Sequence, residues 1–182
     1  MKNKTTWYVA LFLLVCTALS AQKKVGTKSG NITFEASMPS FEEVEAINEN
    51  VSAILNMETG EFASLALIKG FRFKRALMEE HFNENYMESH TYPKAVFKGS
   101  IDGFISEALS SSEQRFVVIG KMTIHGIEKE ISIPIYVTRL EEGIQLTTKF
   151  TLLPEDFGIE IPSVVSNKIA DEVVVEAHYI LK

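Results

Sequence analysis

The second half of the chain alternates between apolar and polar positions with a period of two. Across residues 130–138, Ile131, Ile133, Ile135 and Val137 fall on one side, and Glu130, Ser132, Pro134, Tyr136 and Thr138 on the other. Successive strand side chains project to opposite faces, so this stretch predicts a strand with one greasy and one wet face. Such alternation belongs to antiparallel sheets with one face in solvent, not to parallel sheets buried on both sides. Residues 115–123 form the strand before it, and Gly126, just after His125, marks the reversal. Two more strands follow. Ile144, Leu146, Thr148, Phe150 and Leu152 share a face in one, and Val173, Val175, Ala177, Tyr179 and Leu181 in the other. The stretch between them, residues 154–170, is irregular and punctuated by proline.

The first half is less regular. Residues 22–30 are rich in lysine and glycine and predict a loose segment. Residues 32–38 alternate, with Ile32, Phe34, Ala36 and Met38 on one face. The acidic stretch 41–50 suits either a helical turn or a solvated strand. Residues 51–57 alternate again, Thr59-Gly60 is a turn, and residues 61–73 predict a long strand broken near Gly70, where a bulge fits. Only one helix is expected, over residues 74–87, where Met78, Phe82 and Tyr86 recur every four positions as a stripe. Arg75 and Glu79 have the spacing of a pair on its outer side. Pro93 ends the helical pattern. Beyond it Ala95, Phe97, Gly99 and Ile101 share a strand face. Many short strands with one helix predict a sandwich or a closed barrel, and closure removes edges that would otherwise invite aggregation.

The 182 residues do not all belong to that domain. Lys2 and Lys4 precede an apolar run over residues 7–18, and Ser20 and Ala21 follow, the layout of a secretory signal peptide cleaved after Ala21. The run falls short of the roughly 20 apolar residues a membrane-spanning helix needs. The expected mature domain is residues 22–182, in the periplasm or outside the cell. Cys16 offers the alternative of a lipoprotein anchor, though Val15 is bulkier than such a signal usually carries before its cysteine. Cleavage after Ala21 leaves no cysteine, hence no disulfide or thiolate chemistry. It also leaves sixteen basic against 24 acidic side chains, a net charge of −8. Such an acidic chain argues against nucleic acid, which is bound largely through lysine and arginine.

Reactive constellations are scarce. His81, His90, His125 and His178 are too scattered for ligand spacing, so no metal is expected. Glu79 and Glu80 are neighbours on a helix and do not face each other. Neither a nucleophile elbow nor a phosphate-cradling glycine loop occurs. The expectation is a protein without cofactor or catalysis.

Three segments, in this order, resemble the YceI-like family. The helix that runs into Tyr92-Pro93-Lys94-Ala95-Val96-Phe97 resembles the family's helix with a Tyr-Pro-x-x-x-Phe strand entry. Gly120-Lys-Met-Thr-Ile-His-Gly-Ile-Glu-Lys129 is similar to its Gly-x-Leu-Thr-Ile-x-Gly-x-x-Lys hairpin. Asp156-Phe-Gly-Ile159 with the final strand resembles its closing segment. The likeness covers residues 71–182. Two departures stand out: residues 30–60 hold no clean Gly-x-Phe element, and Leu152-Leu153-Pro154 occupies the place where many members carry an arginine. The resemblance implies an extended lipocalin-like antiparallel β-barrel of about eight strands with one helix. It also implies an exported protein that binds a polyisoprenoid or similar long amphiphile inside.

An eight-stranded barrel is just wide enough to be filled by side chains or to hold one small ligand. Candidate lining residues from the apolar faces are Phe97, Phe116, Met122, Ile133, Ile135, Val137, Phe150 and Val175. Each position suits either tail contact or plain core packing. Gly99, Gly103 and Gly120 fall on inward rows, where they either vacate space or let strands bend. Arg72, Lys74, Arg75 and Lys94 flank the helix and are candidates for a head group at the rim, or ordinary solvated surface. The alternative function is a barrel filled by its own side chains that acts through a protein partner at the rim. Homodimerisation stays open.

Overall fold

The computed structural model describes residues 24–38, 43–162 and 169–182. The expected signal, Cys16 and Ala21 lie outside these residues. The strands are β1 (Lys24–Ser37), β2 (Glu45–Asn56), β3 (Glu61–Leu67), β4 (Arg72–Phe73), β5 (Lys94–Ile101), β6 (Gln114–Ile124), β7 (Ile127–Leu140), β8 (Gly143–Leu152) and β9 (Ile169–Leu181). A short helix, α1 (Ala76–His81), runs on into a π turn at Phe82–Tyr86.

All neighbouring strands are antiparallel. Around the molecule they follow the order β1-β9-β8-β7-β6-β5-β3-β2, and β2 pairs back to β1. This is the closed eight-stranded barrel, with β4 as a two-residue addition alongside β2. The β6–β7 hairpin turns where Gly126 predicted. Ile124 pairs with Ile127, and His125 and Gly126 between them have φ of 51° and 76°. Two positive φ values in a two-residue loop make the type I′ turn whose twist suits a hairpin. A Cβ on Gly126 would also lie 2.6 Å from the Tyr92 ring.

Residues 24–30 are strand, not a loose segment. Lys24 to Thr27 pair with Asn56 to Ala53, and Gly26 exchanges backbone hydrogen bonds with Lys182 at 2.9 and 3.1 Å. Their lysines and glycines gave no apolar alternation to read, because the ladder holds this end through main-chain atoms. The acidic stretch resolves as strand from Glu45 onward. The strand expected over residues 61–73 does break near Gly70, but by a 3₁₀ turn at Ile68–Gly70 that separates β3 from β4 and not by a bulge. Asn48 repairs the break: its buried amide donates to the Leu67 carbonyl (3.0 Å) and accepts from the Asn50 N–H (3.0 Å). A side chain on Gly70 would strike that amide at 2.5 Å.

The barrel is filled at one end only. Val51, Leu55, Val137, Ile144, Leu146 and Leu181 are sealed from solvent there. Gly99 and Gly120 face each other across β5 and β6, and a Cβ on Gly120 would sit 2.3 Å from the Lys98 carbonyl oxygen. These two glycines let strands press together. Gly103 does not face inward at all; it occupies a turn at φ 64° with nothing within 4 Å of a Cβ.

Candidate functional site

The other end is hollow. A cavity of about 520 Å³ opens beside α1, within the roughly 300–1,000 Å³ usual for small-molecule sites. Its depth is set at one level around the barrel. On β9, Val173, Val175, Ala177 and Tyr179 line it and Leu181 does not. On β8, Leu152, Phe150 and Thr148 line it and Leu146 does not. On β7, Ile133 and Ile135 line it and Val137 does not. Inward side chains near the mouth, such as Phe34, Phe150 and Val175, are only half-buried, because one side of each looks onto empty space.

Pro134 accounts for the opening on one side. The β7–β8 ladder runs from Leu140↔Gly143 to Tyr136↔Thr147 and stops. Pro134 has no N–H to continue it, and its carbonyl takes the Thr148 hydroxyl at 2.6 Å instead. Beyond that point the wall is supplied by the 3₁₀ turn Pro154–Phe157, whose Phe157 is buried against the cavity. Lys129 of β7 pins this turn through an ion pair with Asp156. His125 adds a second tie, with Nδ1 3.2 Å from the Phe157 carbonyl and Nε2 3.3 Å from the Glu88 carboxylate.

The helix side is held by aromatic rings. Phe82 packs on Phe34, Phe71 and Phe73 with centroids 5.3, 5.8 and 5.1 Å apart, in tilted and edge contacts that suit ring quadrupoles. The predicted stripe of Met78, Phe82 and Tyr86 faces the cavity. The π turn, closed by Met87 N–H to Phe82 C=O at 2.9 Å, brings Met87 onto the same wall; such turns recur at functional sites.

Polar side chains on the wall are few: Ser64, His81, Tyr86, Thr148 and Tyr179. No lysine, arginine, aspartate or glutamate lines it among the described residues. Burial pushes the Tyr86 phenol up, and pushes that of Tyr179 up to about 12, so both stay neutral. Ser64 and Tyr179 share a buried hydrogen bond of 2.8 Å at the cavity floor.

Of the lining candidates, Phe97, Met122, Ile133, Ile135, Phe150 and Val175 lie on the wall. Phe116 and Val137 do not. Phe116 packs toward Phe104 (6.4 Å), and Val137 belongs to the filled end. The inward phase of both was right, but depth along the barrel decides contact. None of the four rim cations lines the cavity. Arg72 pairs with Glu79 at 2.8 Å, Lys74 with Glu43 and Glu45, Arg75 precedes α1, and Lys94 opens β5 with its side chain in solvent. The residues missed were the mouth aromatics Phe34, Phe71 and Phe73 and the floor pair. Phe71 and Phe73 alternate across Arg72, which was the available signal. The Ser64–Tyr179 contact joins β3 to β9 and left none.

Among the described residues no cluster of three histidine, cysteine or acidic side chains could hold a metal ion, and no helix is long and apolar enough to cross a membrane.

Comparison with known proteins adds to this geometry. A YceI-like domain model matches residues 18–180. A polyisoprenoid-binding domain from Saccharophagus degradans, implicated in plant cell wall breakdown, superposes with a TM-score of 0.77 at 15% identity, covering 87% of this chain and 97% of its own. BcnA of Burkholderia cenocepacia gives 0.69 at 16%, covering 84% and 96%. A YceI protein of Campylobacter jejuni gives 0.60 at 12%, covering 80% and 89%. At these identities the superpositions establish the fold. No curated protein sequence matches the chain.

Proposed function

We propose that this chain, which belongs to the YceI-like domain family, is an exported carrier that holds the tail of a polyisoprenoid or similar long-chain amphiphile in the hollow end of its barrel. The observation that carries this reading is a cavity of about 520 Å³ whose wall is apolar almost throughout. Export is read from Lys2, Lys4 and the short apolar run before Ala21, with residues 22–182 as the mature domain and Cys16 removed with the signal.

Volume and energetics fit a tail. Water fills about 30 Å³ per molecule in the liquid and a methylene takes a similar share, so the space suits on the order of fifteen to twenty carbon atoms. That is three or four isoprene units, and a longer chain would trail through the mouth. Each buried methylene is worth roughly 0.8 kcal/mol, which leaves useful affinity after the costs of association. A neutral, poorly hydrated wall asks nothing of the tail but shape. The activity is sequestration, with no catalytic step.

Organic extraction of protein purified from its native envelope, followed by mass spectrometry, tests the reading. A long-chain lipid in near-stoichiometric amount is the expected result. An empty extract, together with no rise in melting temperature on adding prenyl lipids, sinks it in favour of a rim that binds protein.

A further inference from the structure

The floor of the cavity carries a feature that an apolar tail does not use. Ser64 on β3 and Tyr179 on β9 meet there across the barrel, hydroxyl to hydroxyl at 2.8 Å, and both residues are buried. Gly30 makes the arrangement fit, since a Cβ at that position would lie 2.4 Å from the Tyr179 ring. Two hydroxyls hold two hydrogens, and one bond between them uses one. Whichever group donates, the other keeps a hydrogen with no protein acceptor among the described residues. A buried donor left unmade costs on the order of a full desolvation penalty, in a site lined mainly by apolar side chains. Burial holds the Tyr179 phenol in its protonated form, so the hydrogen is present at any physiological pH.

We infer that the Ser64–Tyr179 pair is a deep polar subsite that receives an uncharged oxygen of the ligand, a hydroxyl or a carbonyl, so that the ligand enters with its oxygen-bearing end first. The inference rests on the carrier reading. An ionised end is disfavoured at the floor, because among the described residues no lysine or arginine lines the cavity and the one histidine, His81, sits exposed at the end of α1, and burying an unpaired charge is prohibitive. The mouth does not compete for that oxygen through charge: Arg72 and Lys74 are engaged with acidic side chains and lie off the wall. The ligand class is therefore a neutral oxygenated isoprenoid or lipid, such as a prenol, a ketone or a primary amide, with its tail toward α1.

The test compares farnesol with the hydrocarbon of the same carbon skeleton, delivered from cyclodextrin and read by displacement of a neutral naphthylamine dye. Wild type, Ser64→Ala, Tyr179→Phe and the double variant are titrated side by side. In the double variant the dissociation constant for farnesol should rise about five-fold, the size of one net hydrogen bond, while that for the hydrocarbon stays unchanged. Each single variant keeps one hydroxyl and should lose less. The hydrocarbon also reports whether the cavity is intact, so misfolding cannot pass for loss of the subsite. Equal farnesol affinity in wild type and double variant, with the hydrocarbon bound by both, overturns the subsite and leaves the carrier standing. Failure of both ligands to bind wild type overturns both.

Discussion

Leu146 and Leu152 lie on the same strand and the same face, yet they live in different environments. Leu146 faces Val137 on β7 and Tyr179 on β9, paired on both sides and sealed from solvent. Leu152 pairs only with Val173, because the ladder to β7 has ended at Thr147 and the cavity lies in front of it. One barrel thus contains a packed end that stabilises the fold and a hollow end whose inward side chains border a cavity. The alternation of side chains is the same in both. What differs is whether neighbouring strands remain laced at that depth.

The largest expected effect tests this directly. Leu146→Ala should lower the unfolding free energy by about 3 kcal/mol, as burial loss plus a new cavity. Leu152→Ala should cost under about 1 kcal/mol, since part of its surface already faces empty space. Denaturant midpoints at constant m-value measure both, and equal losses would mean the hollow end is packed in solution.

Next comes pH at the boundary between the two ends. Tyr179 titrates near 12 when folded, against 10 for the free phenol. Between those values the unfolded chain has lost the proton and the folded one keeps it, so stability falls as pH rises, by about 1.4 kcal/mol per unit. Below pH 10 the contribution is fully present. Tyr179→Phe should flatten that alkaline limb, and an unchanged slope would place the phenol in contact with solvent.

Filling the hollow should touch binding more than stability. Ala177 lines the cavity between Val175 and Tyr179, and Ala177→Phe would put a ring into the empty space. Bound lipid per protein should drop at least about ten-fold, which is roughly 1.4 kcal/mol, with the melting temperature held or raised. Undiminished lipid content would put the binding site elsewhere.

The smallest effect is expected at the rim. Lys74→Ala removes an exposed ion pair with Glu43 and Glu45, and exposed pairs contribute under about 1 kcal/mol. Lipid content should stay within error of wild type. A marked loss would restore Lys74 as a head-group contact.

The gaps in the sequence reading have physical causes. Glycine on an inward row suited either vacated lumen or a bending strand, and Gly99 and Gly120 serve close contact between strands. A Cβ on Gly99 would meet the Phe97 ring at 2.8 Å and the Ile119 carbonyl oxygen at 2.4 Å. Lysine and glycine at residues 24–30 looked loose because strand pairing there rests on main-chain bonds. The mouth cluster was not legible because Phe34 on β1 and Phe71 and Phe73, which flank Arg72, converge on Phe82 of the helix stripe only in space.

By itself the sequence determined the antiparallel strands of the second half, the side most of their residues face, the His125-Gly126 turn and the stripe on α1. Those are local properties, set by a period of two or about four and by backbone conformations few residues tolerate. Tertiary structure alone decided depth: where along each inward row packing stops and the cavity begins. Period-two alternation carries no information about the distance between non-adjacent strands, which depends on closure of the ring, on the missing N–H of Pro134 and on Tyr179 lying across Gly30.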